Sequence, residues 1–254
     1  MQPAEDQPWW SAYFDDEFLR LYRPFLPPED TLREVDTVVE ILGFQRGAQV
    51  LDLACGWGRH AVELARAGYR VSGLDRSESL LRHARGIAAE AGVQVWWVRG
   101  DVRELPWSEQ FAAVTCFFSS LGYFLSDAED LRALCSVRDA LLPDGAFLME
   151  TMHRDLVARE FAERDWWEGE HGEHVWVERQ FDPVEGVSRE WLRWQGADGT
   201  SGEKFHEIRV RSATEWAALL RRAGLEPEEW YGDWNLDPFT RESERLIVLA
   251  KRVE

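Results

Sequence analysis

A fixed rhythm runs through residues 45 to 151 and limits what this chain can fold into. "AQVLDLA" is an apolar run of strand length, and "GRHAVELARAG" then returns apolar residues at helical spacing until Gly68 closes it. "YRVSGLD" reads as a second strand, "SESLLRHARGIAAEAG" as a helix with Ser77 placed to cap it, and "VQVWWVRGD" as a third strand. Strand "FAAVTCFF", helix "DAEDLRALCSVRDALLPDG" and strand "AFLMET" complete the series. Strands alternating with helices of this length predict an α/β fold, a parallel sheet built from right-handed crossovers.

The pattern changes on both sides of that block. Trp9 to Leu42 reads as helices broken at Pro27-Pro28, with Asp30 or Thr31 placed to cap the second and Gly43 to end it. Past residue 153, "HVWVERQFDPVEGVSREWLRWQGADGTSGEKFHEIRVR" alternates aromatic and charged residues, with turn signals at Asp182-Pro183, Glu185-Gly186 and Asp198-Gly199. That is antiparallel sheet chemistry, and it assigns Trp166, Trp167, Trp191 and Trp194 to sheet packing. "SATEWAALLRRAGL" returns to helix, capped near Ser212 or Thr214, and "EPEEWYGDW" and "SERLIVLAKR" read as two final strands. The expected organisation is therefore 1–42 as a helical cap, 43–152 as the α/β core, 153–211 as an antiparallel insertion and 212–254 as the completion of the core.

Charge narrows the partners. With 47 acidic against 29 basic residues the formal charge is -18, which repels phosphate backbones and disfavours nucleic acid and anionic membrane. Such a surface tolerates cationic small molecules; acidity that serves solubility alone is the plainer reading. Cys55, Cys116 and Cys135 show neither disulfide-framework nor metal-ligand spacing. No metal is expected. "MQPAEDQPWW" lacks the basic-then-apolar pattern of a secretory signal, and no apolar run approaches the roughly 18 residues that span a bilayer. A soluble, cytoplasmic protein is expected.

The chemistry gathers at the strand ends. "LDLACGWGRHAVEL" places Asp52, Gly56 and Gly58 at a strand-to-helix joint, where backbone N–H groups face outward and glycine permits close approach. The second strand ends in Asp75, suited to a ribose diol, the third in Asp101, and the fourth in the small polar residues of "CFFSSLGYF". Ligands of open α/β sheets sit beyond these carboxyl ends. "GWGRHA" also satisfies the dinucleotide fingerprint G-x-G-x-x-A, so an NAD(P)-dependent reductase is an alternative.

Taken in order, "VLDLACGWG", "GLD", "RGDVRELPW" and "FAAVTCFFSSLGYF" resemble the sequential motifs of class I S-adenosylmethionine-dependent methyltransferases. The resemblance implies a Rossmann-like sheet of seven strands, mostly parallel with an antiparallel last strand, helices on both faces, and a small antiparallel insertion serving as a substrate lid. It implies S-adenosyl-L-methionine as cofactor. Asp52 then matches the acid near the methionine amino group; Ala54, Cys55, Gly56 and Gly58 match the loop under the sulfonium and ribose. Asp75 matches the ribose acid, Arg76 lies beside the adenine, and Asp101 and Val102 match the pair reading its edge. Phe118 and Ser119 match the loop lining the methionine end. Trp57 departs from the Thr or Ser often found there, and Arg59 and His60 follow it. "TCFFSSLGYF" is similar to small-molecule N-methyltransferases, including those acting on amino sugars. The expected partner is therefore a small-molecule methyl acceptor, on a monomer or homodimer. A sulfonium is an activated donor, so catalysis is expected mainly from positioning, with an amine acceptor shedding a proton. Candidate catalytic residues are His153, Tyr123 and His206, with His153 preferred as base because it follows a strand whose carboxyl end faces the site. Candidate substrate-binding residues are Tyr13, Tyr22, Arg23, Arg209 and Arg211. Against these stand helix packing for the tyrosines and a salt-bridged strand edge for Arg209 and Arg211, and for the whole chain a non-catalytic cofactor-binding protein.

Overall fold

The computed structural model describes residues 8–169 and 171–253; the chain start, expected not to be a secretory signal, falls largely outside them. In chain order the first elements are α1 (Trp10–Tyr13), α2 (Asp16–Tyr22), α3 (Pro28–Leu42), β1 (Gln49–Leu53), α4 (Arg59–Arg66), β2 (Arg70–Asp75), α5 (Glu78–Ala91) and β3 (Val95–Arg99). There follow β4 (Phe111–Cys116), α6 (Asp127–Ala140), β5 (Leu141–Thr151) and α7 (Arg154–Arg159). Four more strands come next, β6 (Arg164–Glu168), β7 (His174–Asp182), β8 (Val187–Gln195) and β9 (Ser201–Arg209). The chain closes with α8 (Ala213–Arg222), β10 (Leu225–Tyr231) and β11 (Leu246–Arg252).

The larger sheet has seven strands in the order β10-β11-β5-β4-β1-β2-β3. Strands β1 to β5 pair in parallel, while β11 runs antiparallel to both neighbours. Central strands need both faces covered, which is why "VLDL" and "AAVTC" read as nearly continuous apolar runs. One face packs Leu134 and Val137 of α6 and Trp216 and Leu220 of α8 against Leu53 and Val114. The other packs Val35 and Val38 of α3 and Leu64 of α4 against Val50 and Val71.

The second sheet is antiparallel throughout, in the order β6-β7-β8-β9. Its Val175, Val177, Leu192 and Trp194 close on Leu21 of α2. The N-terminal helices are thus held between this sheet and the carboxyl edge of the larger one. Ser77 Oγ donates to the Phe14 carbonyl at 2.6 Å, Ser79 Oγ to Asp16 at 2.6 Å, and Lys204 Nζ to Asp15 at 2.8 Å.

Three local readings change. Helix α3 starts earlier than its polar residues suggest, because Pro28 with its fixed φ takes the first turn and leaves Asp30 and Thr31 inside it. Gly43 does end it, at φ +59°. Helix α7 carries too short an apolar pattern to be read in advance. Strand β9 stops at Arg209, so Arg211 does not share a strand face with it. Caps fall as expected at Ser77, which accepts from Leu80 N–H, and at Ser212, which forms a reciprocal capping box with Glu215. Among the described residues no helix is long and apolar enough to cross a membrane.

Candidate active site

The carboxyl ends of β1, β2 and β4 open into one cavity of about 90 Å³, whose lining includes Asp52, Ala54, Cys55, Gly56, Asp75 and Phe118. Asp52 ends β1 and is buried. One of its oxygens lies 3.5 Å from the Thr115 hydroxyl, and the other has no hydrogen-bond partner among the described residues. Burial, only partly countered by Arg59, pushes its carboxyl up to about 7. The following loop is left-handed at Ala54 (φ +55°), Gly56 (φ +54°) and Gly58 (φ +79°), which curls the backbone beneath the cavity. Asp75 ties this loop to the next strand: it accepts from Gly56 N–H and Ser77 N–H, both at 2.8 Å. Each oxygen keeps a lone pair. Burial raises its pKa as well.

Gly58 does not face the cavity. A Cβ there would stand 2.5 Å from a ring carbon of Trp97 and 3.0 Å from the Ala84 Cβ, so this glycine serves helix–sheet packing rather than the ligand approach expected of it. Asp101 and Arg76, expected beside the adenine, are not part of the lining of this cavity. Asp101 is engaged by Arg103 at 2.7 and 2.9 Å and by Arg76 at 3.1 Å, and the Arg103 guanidinium holds its carboxyl below the ordinary range. The Arg76 guanidinium stacks 4.4 Å from the centre of the Trp10 ring. Val102 packs against the apolar core and does not line the cavity.

A second cavity of about 270 Å³ adjoins the first, and the two share Phe14, Phe18, Phe118 and Tyr123 as a common wall. Phe118 and Ser119 sit at φ +60° and +55°, conformations that non-glycine residues hold only when their surroundings enforce them. Here the buried Glu150 carboxylate accepts Phe118 N–H at 2.6 Å and pairs with Arg245 at 2.7 Å, while Ser119 Oγ accepts Met152 N–H. The far side holds Tyr13, Tyr22, His206 and Glu190, linked by hydrogen bonds. Burial pushes all three tyrosines, Tyr13, Tyr22 and Tyr123, well above their ordinary pKa, so their hydroxyls stay protonated.

Other expected residues lie elsewhere. His153 is fully buried outside both cavities. Its Nε2 donates to the Ser243 carbonyl at 2.7 Å and its Nδ1 accepts from Leu156 N–H as the cap of α7, so neither nitrogen is open to act as a base. Arg23 is exposed on a short 3-10 turn and lines neither cavity. Arg209 bonds Asp127 at 3.2 Å; Arg211 is buried and bonds Asp127 at 2.7 Å and Asp130 at 2.8 Å. These two arginines tie the insertion to α6 and do not face the chamber. Cys55 and Cys116 are buried and held as thiols by that burial.

Glu150 and Glu190 were not anticipated. Each had a signal in the sequence: Glu190 shares its strand face with Leu192 and Trp194, and Glu150 follows the buried run "AFLM". A carboxylate on an apolar strand face is costly unless it has a task.

Comparison with known proteins agrees with this architecture. Residues 50–145 match the family described as "Methyltransferase domain". The match sets aside the nicotinamide alternative. A chain from Geobacillus sp. (strain WCH70), named as a candidate methyltransferase, is 27% identical over 218 residues, covering 83% of this chain and 87% of its own. The dTDP-3-amino-3,6-dideoxy-alpha-D-glucopyranose N,N-dimethyltransferase of Streptomyces fradiae is 37% identical over 105 residues, which is 41% of this chain and 40% of that protein. The crystal structure of a S-adenosylmethionine-dependent methyltransferase from Clostridium acetobutylicum ATCC 824 superposes with a TM-score of 0.81 at 17% identity, covering 94% of this chain and 97% of that one, a likeness of fold.

Proposed function

We propose, for a chain that is an S-adenosylmethionine-dependent methyltransferase of the class I fold, that the methyl group goes to an amine nitrogen of a small molecule bound in the larger cavity. The observation that carries this reading is the composition of that cavity. Its walls are aromatic, from Trp9, Tyr13, Phe18, Tyr22, Phe118 and Tyr123, and its lining includes the carboxylates of Glu150, Glu190 and Glu244. Arg245, the one arginine among its described lining residues, is paired with Glu150. Aromatic faces beside carboxylates favour a cation, and an amine arrives at neutral pH as one. The Streptomyces fradiae relative, named for an amino-sugar N,N-dimethylation, supports the same class of acceptor.

The smaller cavity fits the cofactor by its donors and acceptors. Asp52 offers an unpartnered carboxylate oxygen to the methionine ammonium, and Asp75 offers two oxygens with free lone pairs to the ribose hydroxyls. S-adenosylmethionine supplies an already activated methyl on its sulfonium, so no covalent enzyme intermediate is required. At about 90 Å³ the space is below the roughly 300 Å³ of ordinary ligand pockets, and Phe14 and Phe18 of the N-terminal segment are part of its lining. On this reading the N-terminal segment shifts outward to admit the nucleoside. Returned to place, the same rings exclude water and confine the acceptor against the Phe118–Tyr123 wall. Orientation of this kind supplies much of the rate in a transfer that needs no other activation.

The test is methyl transfer from S-adenosylmethionine to matched panels of amines (amino sugars among them), phenols and carboxylic acids, read by product mass. Methylated amines are expected. Transfer confined to phenols or carboxylic acids would overturn the proposal.

A further inference from the structure

Resting on the amine reading above, we propose that His206 is the general base that takes the acceptor's ammonium proton, and that Glu190, acting through Tyr22 and Tyr13, orients it and stabilises its charged form. Four polar side chains from α1, α2, β8 and β9 meet in the chamber. His206 Nδ1 lies 3.1 Å from the Tyr13 hydroxyl, which lies 3.0 Å from the Tyr22 hydroxyl, and Tyr22 donates to Glu190 Oε1 at 3.0 Å. Glu190 Oε1 is itself 3.7 Å from His206 Nδ1. An ionised carboxylate only accepts, and that fixes the direction of every proton in the series. Tyr22 gives its proton to Glu190, so Tyr22 oxygen accepts from Tyr13, and Tyr13 oxygen accepts from His206. The imidazole is thereby held as the Nδ1–H tautomer, with Nε2 as its acceptor nitrogen. This is the logic by which a carboxylate orients a histidine base, extended through two phenols.

Other groups in the chamber are less suited. Tyr13, Tyr22 and Tyr123 stay protonated in their buried setting, and Glu150 is engaged by Arg245 and Phe118 N–H. Arg179 from β7 donates to the other oxygen of Glu190 at 2.7 Å. Lys204, on β9 beside Tyr13, is taken up by Asp15 and Glu17. Burial, opposed by Glu190 and aided by Arg179, holds the His206 pKa below its ordinary 6.5, so the ring is neutral at pH 7 and free to accept. In the step itself an N–H bond of the ammonium breaks and its proton bonds to His206 Nε2. The freed lone pair forms the N–C bond as the S–C bond breaks and its electrons return to sulfur. The imidazolium gives its proton to water after product leaves.

The experiment is the pH dependence of kcat and kcat/KM with a methylated amine, in the wild type, His206→Asn, Glu190→Gln and Tyr22→Phe. The wild-type kcat should rise through the His206 titration below pH 6.5 and then level off, since the enzyme deprotonates bound ammonium itself. His206→Asn should lower kcat at pH 7 by about 100-fold, within the usual range for a lost general base, and recover tenfold per pH unit toward the pKa of the free amine. Glu190→Gln should move the ascending limb to lower pH and reduce the plateau, with KM within about 2-fold; Tyr22→Phe should do the same more weakly. A purely structural role would leave the position of the limb unchanged. Should His206→Asn prove insoluble, the shift in Glu190→Gln decides the matter. If amines are methylated while the variants keep both the wild-type limb and at least a third of its rate, the base assignment is overturned and the amine reading stands. If no amine is methylated by the wild type, the amine reading fails first and the base falls with it.

Discussion

Asp75 and Asp52 show how one residue type acquires different work from its surroundings. Asp75 has both oxygens already bound to backbone N–H groups, so it is rigid before any ligand arrives. Asp75→Ala should weaken binding of S-adenosylhomocysteine by roughly 10- to 100-fold, the loss expected for hydrogen bonds to a charged group. It should also lower the melting temperature, because Gly56 and Ser77 lose their acceptor. Unchanged affinity by titration calorimetry would remove Asp75 from the cofactor site. Asp52 carries an unpartnered oxygen and titrates at about 7. Binding a cofactor ammonium there should drive off about half a proton at pH 7 and almost none at pH 9, measurable by calorimetry in buffers of different ionisation enthalpy. For the free protein the sign is opposite to that of a salt-bridged acid. Folded Asp52 binds its proton more tightly than the unfolded chain does near 3.8, so its stabilising contribution is full below that value and is lost as pH rises through 7.

At the scale of elements, the joints between them matter more than the elements. Gly58 is the capping residue just before α4, at φ +79°, and stands against Trp97 of β3. Gly58→Ala should cost about 1–3 kcal/mol of stability through the clash and the strained backbone. Its affinity for S-adenosylhomocysteine should stay nearly that of the wild type in preparations that fold; a large affinity loss without loss of stability would return Gly58 to the ligand. Arg211 pairs with the fully buried Asp130, whose other oxygen accepts Gly122 N–H. Arg211→Met leaves that carboxylate uncompensated and should destabilise by about 3–5 kcal/mol in denaturant titrations. Substrate KM should not change, whereas a residue that held substrate would raise it. Much of this scale was legible in advance. Period-two and helical patterns located most strands and helices, and Ser77, Ser212 and Gly43 marked ends through local hydrogen bonding and backbone sterics that need no tertiary partner. Helix α7 and the job of Gly58 were not legible, since one is too short to carry a period and the other depends on a tryptophan from a distant strand.

The whole molecule adds a field and a closure. With a formal charge of -18, long-range attraction should favour the cationic cofactor over its neutral product, and salt should screen that preference. The ratio of Kd for S-adenosylmethionine to that for S-adenosylhomocysteine should therefore rise between low and high ionic strength; a flat ratio would mean that only local contacts discriminate. Closure comes from the N-terminal helices, which are gripped by Lys204 and Leu21 contacts on one side and by Ser77 and Ser79 on the other. By itself the sequence determined the alternating core, the cleft at its strand ends and the positions of Asp52 and Asp75, because periodicity and glycine-rich turns act over a few residues. The class of cofactor came from the resemblance to a known family, since the same turn also fits a dinucleotide fingerprint. Only the tertiary structure decided that His153 is a helix cap, that Arg209 and Arg211 brace the insertion, and that Glu190 meets His206 through two tyrosines. Those assignments depend on which side chains from remote segments are buried together, and burial of a polar group is settled by the partners that surround it, not by its neighbours along the chain.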